Sequence, residues 1–273
     1  MAKWTGILEL DIENKNGKSV PENVYFHRAF KVQRPIYHTP ETPCYYILNP
    51  GGGYLDGDTY RIRVSLREQA SLTLTTQAAT KIYKTPQSQA FQQTEIKLAK
   101  GSYLEYLPDP IIAYQNARYF QKNVVRMEEG ATFLYSDIIT PGWAPEGELF
   151  SYNMVRLISE IYLEGQLIAL DHLKLAPDED HITGMGFLEG YTHLGAFIVI
   201  GEKNDDPLID RLYETISKKT GDFSFGISPF SVPGFSVRIM ANSTQLIEQI
   251  IGVCRRIISR EWYDTTPSFL RKY

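Results

Sequence analysis

The stretch NPGGGYLDGD (49–58) sets three glycines and two carboxylates, Asp56 and Asp58, within ten residues. Glycines and acids so close together suggest an anion cradle or a hard-cation loop. An anion cradle needs glycines leading from a strand into a helix whose first amides hold the phosphate. Here the next residues, TYRIRVSL, alternate as a strand, no Lys-Ser/Thr pair follows, and carboxylates stand where the anion would sit. A calcium loop needs further oxygen ligands at alternating positions and a closing glutamate, and only Asp56 and Asp58 fit. What remains is a glycine-rich connection before an edge strand, carrying an acid.

Other reactive residue types are sparse. His27, His38, His172, His181 and His193 form no HxH or HExxH pair, and Cys44 and Cys254 lie far apart in no metal-ligand spacing. There is no GxSxG elbow, and Ser224–Pro229 reads as a strand edge. No zinc or nucleophile constellation is visible, although carboxylates apposed from distant strands would leave no signature. Two stretches stand out. TLTTQAATKIYKT (73–85) gathers Thr73, Thr75, Thr76, Gln77, Thr80 and Lys81, which suits a polar interior, a docking face or a threonine-rich surface strand. In LEYLPDPIIAYQNARYFQ (104–121), Pro108 and Pro110 flank Asp109; they remove backbone donors and stop the edge from pairing further. Its tyrosines, Tyr106 among them, read as a contact surface more than a core.

The elements that must position these residues are mostly strands. Period-two segments recur at 4–13, 23–32, 44–49, 58–68, 70–84, 91–100, 102–107, 117–127, 131–139, 154–175 and 193–200, separated by Gly, Pro or Asn turns. Strands at this spacing without helical periods between them predict a mainly β, antiparallel scaffold. The end of the chain differs. DDPLIDRLYETISKKTG predicts a helix capped by Asp206 with Pro207 at its first position. A second helix is predicted from Asn242, with Gln245 as capping-box partner and Leu246, Ile247, Ile250, Ile251, Cys254, Ile257 and Ile258 on one face. The order is β-α-β-β-α. We read residues 1–200 as a β-rich region and 201–273 as an α+β segment packed on it, one structural unit without internal repeat.

Hydrophobic content of 43% and charged content of 22% are ordinary for a globular protein. A formal charge of −4 leaves no basic footprint for nucleic acid. Two cysteines, no signal-peptide pattern and no long apolar run predict a soluble, cytoplasmic protein that does not engage a membrane.

Taken together, GGGYLDGD, LTTQAATKIYKTP, LEYLPDPIIAYQNARYFQ, SDIITPGWAPEGELF and GFSVRIMANSTQLIEQIIGVCRRI resemble the UreD (UreH) urease accessory family in order and spacing, over essentially the whole chain. The resemblance implies a mostly β, non-enzymatic scaffold. Its expected partners are the urease apoenzyme, UreF and, through UreF, the GTPase UreG, and its expected role is nickel insertion, for which the resemblance implies an internal tunnel. No tightly bound cofactor is expected, only transient Ni²⁺, because a conduit needs weak, exchangeable oxygen ligands and not a tight cage. By motif match the resemblance points to Asp58, Asp137, Glu148 and Asp171 as transit carboxylates. It assigns Thr75, Thr76, Lys81, Tyr106 and Asp109 to a tunnel wall or partner surface. The chain departs from many relatives at Trp143, where an arginine is common, and at Ile111-Ile112-Ala113-Tyr114. The alternative is a β-rich carbohydrate-active or carbohydrate-binding protein, with stacking tyrosines and Asp109 and Asp137 as an acid–base pair.

Overall fold

The computed structural model describes residues 4–203, 206–264, 267 and 270. The chain opens with a hairpin, β1 (Gly6–Lys15) and β2 (Lys18–Arg28). Asn16 and Gly17 turn it with positive φ, as a two-residue hairpin connection requires. Short β3 (Lys31–Val32) and β4 (Ile36–Thr39) then flank β5 (Thr42–Leu48).

From β5 the chain coils. β6 (Thr59–Leu66) joins β1 in one sheet, and β7 (Ser71–Thr76) joins β5 in a second. β8 (Thr80–Ile82) starts a third, narrow face. The circuit repeats with β9 (Ala90–Leu98), β10 (Tyr103–Leu107) and β11 (Ile111–Ala113), and again with β12 (Arg118–Met127) and β13 (Thr132–Ile139). β14 (Met154–Leu163) closes it on the first sheet. Each strand pairs in parallel with its counterpart one circuit away: β6 with β9, β9 with β12, β7 with β10, β10 with β13, β8 with β11. The centre is therefore a parallel β-solenoid, and the antiparallel expectation is corrected: both sheets are mixed. Antiparallel pairing is confined to the ends, at β1–β2 and at β14 with β15 (Gln166–Leu175). In the second sheet β16 (His193–Ile200) pairs antiparallel with β13. The structure also supplies a repeat, one circuit starting at each of Thr59, Ala90 and Arg118, which residue identity does not display.

The coil explains three local expectations that need revision. TYRIRVSL is not an edge strand, since β6 lies between β1 and β9. The predicted strand at 70–84 breaks at Gln77–Ala79 because the chain turns a corner there. Pro108 and Pro110 occupy the equivalent corner between β10 and β11, and β10 is central, not an edge. Accordingly Tyr106 and Tyr119 are buried core residues instead of a contact surface.

After β16 come α1 (Asp206–Ser217), the hairpin β17 (Phe223–Pro229) and β18 (Gly234–Ala241), and α2 (Thr244–Tyr263). Ser243, not Asn242, caps α2: its side-chain oxygen accepts from the Leu246 amide. The Asn242 side chain instead bonds the Thr192 amide and Asp222.

Two apolar cores result. One fills the coil. The other lies between the outer face of the second sheet (Leu134, Ile138, Phe197, Val237, Ile239) and the helices, through Leu208, Leu212, Ile250, Cys254 and Ile258. β13 is buried along its whole length because it faces both. Gly195 lets α2 approach: a Cβ there would sit 2.4 Å from Ile247 Cγ2. Arg255 on α2 reaches the buried Glu105 on β10 in a bidentate pair of 2.6 and 2.7 Å.

Candidate functional site

Inside the coil, inward positions of a period-two strand should be apolar, and toward its closing end they are not. Gln92 and Thr94 on β9, Gln121 and Asn123 on β12, and Ser159 on β14 are all buried. Parallel register stacks them, Gln92 beside Gln121 and Thr94 beside Asn123 beside Ser159. From the opposite sheet β13 contributes Tyr135 and Asp137. Apart from one oxygen of Asn123, the polar atoms satisfy one another, as buried polar groups generally do. Tyr54 donates to Gln92 at 2.5 Å, Tyr119 to Gln121 at 3.0 Å, and Tyr135 to Asp137 at 2.5 Å. Gln121 donates to the Tyr135 hydroxyl at 3.0 Å and Asp137 at 3.4 Å, and Asn123 to Tyr135 and Ser159 at 2.8 and 3.0 Å. The Asn123 side-chain oxygen, although buried, has no partner among the described residues.

A cavity of about 160 Å³ abuts this row. Exposed Gly52, Gln77 and Ala78 stand at its mouth, and Gln92, Tyr106, Gln121 and Asp137 form its inner wall. The glycine run shapes that mouth. Gly53 packs so closely that a Cβ would lie 2.7 Å from the Lys81 carbonyl oxygen, and Tyr54 N donates to that same oxygen.

Burial pushes the Asp137 carboxyl up from 3.8 to about 6, although the hydrogen bond from Tyr135 pulls the other way. Asp171 raises it further and Arg238 lowers it, so both charges lie within electrostatic reach. Burial likewise drives Tyr54, Tyr119 and Tyr135 well above the ordinary phenol range, keeping them as neutral donors.

The expected site residues divide. Thr76, Lys81, Tyr106, Asp109 and Asp137 all line the cavity. Thr76 and Asp109 clasp each other, hydroxyl to carboxylate at 2.8 Å and Asp109 amide to hydroxyl at 2.7 Å. Thr75 lies outside the lining and ties β7 to β10 through the Leu107 carbonyl at 2.5 Å. Asp58 also lies outside it, accepting from the Leu55 amide, Thr5 and Tyr60 as a half-buried clamp for the turn. Asp56 does similar work, accepting from the Gln87 and Ser88 amides of the neighbouring loop. Glu148 is exposed in the loop after β13. Asp171, on β15 next to Ser159 in register, is ion-paired with Arg238 of β18. Sequence reasoning missed Gln92, Thr94, Gln121, Asn123, Tyr135 and Ser159. Their signal was a polar residue in the inward phase of an alternating strand, as in AFQQTEIKL, where Ile96 and Leu98 share the phase of Gln92 and Thr94.

Such a row, with one carboxyl poised near neutrality and many neutral oxygens, can hold water or a hard to borderline cation weakly. Among the described residues no three His, Cys, Asp or Glu side chains gather into a metal cage. Residues 5–272 match the family described as UreD urease accessory protein. This chain belongs to that family. It is 47% identical over 274 residues, the full length of both chains, to the urease accessory protein UreD of Lachnoclostridium phytofermentans. The corresponding proteins of Staphylococcus aureus and Staphylococcus epidermidis are 44% and 42% identical, each over 99% of both chains. Membership in the UreD family favours the urease-accessory reading over the carbohydrate-active alternative. Among the described residues no helix is long and apolar enough to cross a membrane.

Proposed function

We propose that this protein acts in urease maturation as a non-catalytic, cytoplasmic scaffold that docks the urease apoenzyme and UreF, with UreG joining through UreF, and passes Ni²⁺ toward the urease active site along its interior. The observation that carries this reading is the stacked row of buried polar side chains ending the cavity, in a coil that apolar residues would fill more stably. Amide, hydroxyl and phenol oxygens bind a borderline cation weakly, and Asp137 supplies the one buried charge in the row at near-neutral pH. Conduction asks for that balance, enough attraction to enter and too little to stay.

The test is to plug the row while leaving the surface alone. Gln92→Leu with Gln121→Leu, co-expressed with urease and its partner proteins under nickel supply, should yield urease poor in nickel while the variant still co-purifies with UreF and urease. Urease fully loaded by this variant would remove the interior from the route. Urease fully loaded in a host lacking the protein altogether would remove the maturation role.

A further inference from the structure

Beyond the cavity, the polar row runs along the solenoid axis to an ion pair. On the first sheet Asn123, Ser159 and Asp171 follow one another in register across β12, β14 and β15. On the second sheet Asp137, Ala196 and Arg238 do the same across β13, β16 and β18. Residues side by side in register share a face, so Asp171 and Arg238 face inward with the row. Their ion pair crosses from one sheet to the other. The fold leaves room for it: Ala196 precedes Arg238 in the row and Gly226 follows it on β17. Arg238 is 41% exposed and Asp171 22%, whereas Asp137 is 5% exposed, so the pair stands where the buried row meets solvent.

We propose that Arg238 is a latch on this row: its guanidinium closes the end opposite the mouth, and a cation leaves only by taking the place of Arg238 on the Asp171 carboxylate. This rests on the conduit reading above. A guanidinium is a permanent cation and repels a divalent ion in its path. Paired with Asp171 it is neutralised and held, and the same carboxylate offers an oxygen ligand to an arriving cation. The exchange breaks no covalent bond: Asp171 releases the monovalent guanidinium and accepts the divalent cation while Arg238 swings into solvent, which its exposure permits. Unlike a plug of apolar residues, such a latch yields to a cation that competes with the guanidinium for the carboxylate. The charges are felt inward too, since both act on the Asp137 carboxyl.

The test uses the full chain co-expressed with urease and its partner proteins, comparing Asp171→Asn, Arg238→Gln and the double variant. Nickel per urease is read at limiting nickel, recovery of the complex by co-purification, and stability by urea denaturation. Asp171→Asn leaves the guanidinium across the path without its counter-charge, and loading should fall about tenfold. Arg238→Gln removes the barrier and should load at least as well as the unaltered protein. Decisively, the double variant should recover most of what Asp171→Asn loses. If the double variant stays as poor as Asp171→Asn, or if Arg238→Gln is equally poor, the latch is refuted. Loading that merely follows stability across the three also refutes it in favour of a structural pair. The Gln92→Leu/Gln121→Leu plug separates the two levels: no effect of the plug sinks the conduit, whereas an effective plug without rescue sinks the latch alone.

Discussion

Replacing Asp137 by Asn should make the protein more stable at neutral pH, although it alters the residue most central to the proposed site. The native carboxyl titrates at about 6, against an ordinary value of 3.8, with burial as the main cause. A carboxyl whose pKa is raised on folding binds more protons in the native state than in the unfolded chain between those two values. Stability therefore falls as pH rises through that window, and the deficit is complete above the native pKa. Two units at about 1.4 kcal/mol each set an upper bound of about 3 kcal/mol. The amide can still accept from Tyr135, but its NH₂ group meets the Gln121 amide nitrogen where a carboxylate oxygen accepted at 3.4 Å. That mismatch offsets about 1 kcal/mol. A net gain of about 1–2 kcal/mol is expected at pH 7.5, vanishing or turning to a slight loss near pH 4. Urea denaturation at both pH values, followed through tryptophan fluorescence, reads it directly. If the variant is less stable at pH 7.5 and the gap closes on acidification, the native carboxylate is net stabilised, and the reasoning from burial is wrong. A confirmed gain would mean the chain retains a carboxylate at a cost in stability, as sites do when they need the charge.

The Glu105–Arg255 pair is expected to behave in the opposite sense. Arg255→Ala strands the buried Glu105 carboxylate and should lose about 3–5 kcal/mol in urea denaturation, while Glu105→Leu with Arg255→Met should come close to the unaltered protein. Ser243→Ala removes the cap at the start of α2 and should cost about 1 kcal/mol, whereas Asn242→Ala leaves that cap intact and should not show a cap-sized loss at the helix, as hydrogen exchange of the first α2 amides would resolve.

Strand existence was legible because alternation is a local signal. TYRIRVSL and ARYFQKNVVRM expose their phase residue by residue, and both fall on strands within two residues of the expected bounds. Pairing direction was not legible. Parallel and antiparallel neighbours demand the same alternation, and the corners of a coil use the same Gly, Pro and Asn residues as hairpin turns. With direction unknown, the circuit of three faces was invisible, and so was the stacking of residues from strands that never adjoin in sequence. The cap on α2 failed for a smaller reason: Asn242 and Ser243 both suit an N-cap, and the tertiary demand of Thr192 and Asp222 on Asn242 decides between them.

The candidate site shows the same division between motif and register. Asp58 drew notice because glycines surround it, yet those glycines serve the turn, and its carboxylate is occupied by three donors of that turn and its neighbours. Asp137 drew less notice from its context, an apolar strand in which every residue is buried. The carboxylate is answered by Tyr135 on its own strand and by Gln121 from across the coil, with Asn123 holding the Tyr135 hydroxyl, each unremarkable in its own strand. Only parallel register sets Gln92 beside Gln121 and Thr94 beside Asn123 and Ser159, so that polar residues from successive circuits line up along one axis. Hairpins would have scattered them over different rows. The solenoid is thus what aligns single polar residues into one row, from the cavity at the glycine-lined mouth to Arg238 and Asp171. In the proposed conduit, that alignment gives the row a use that one isolated buried polar residue would not have.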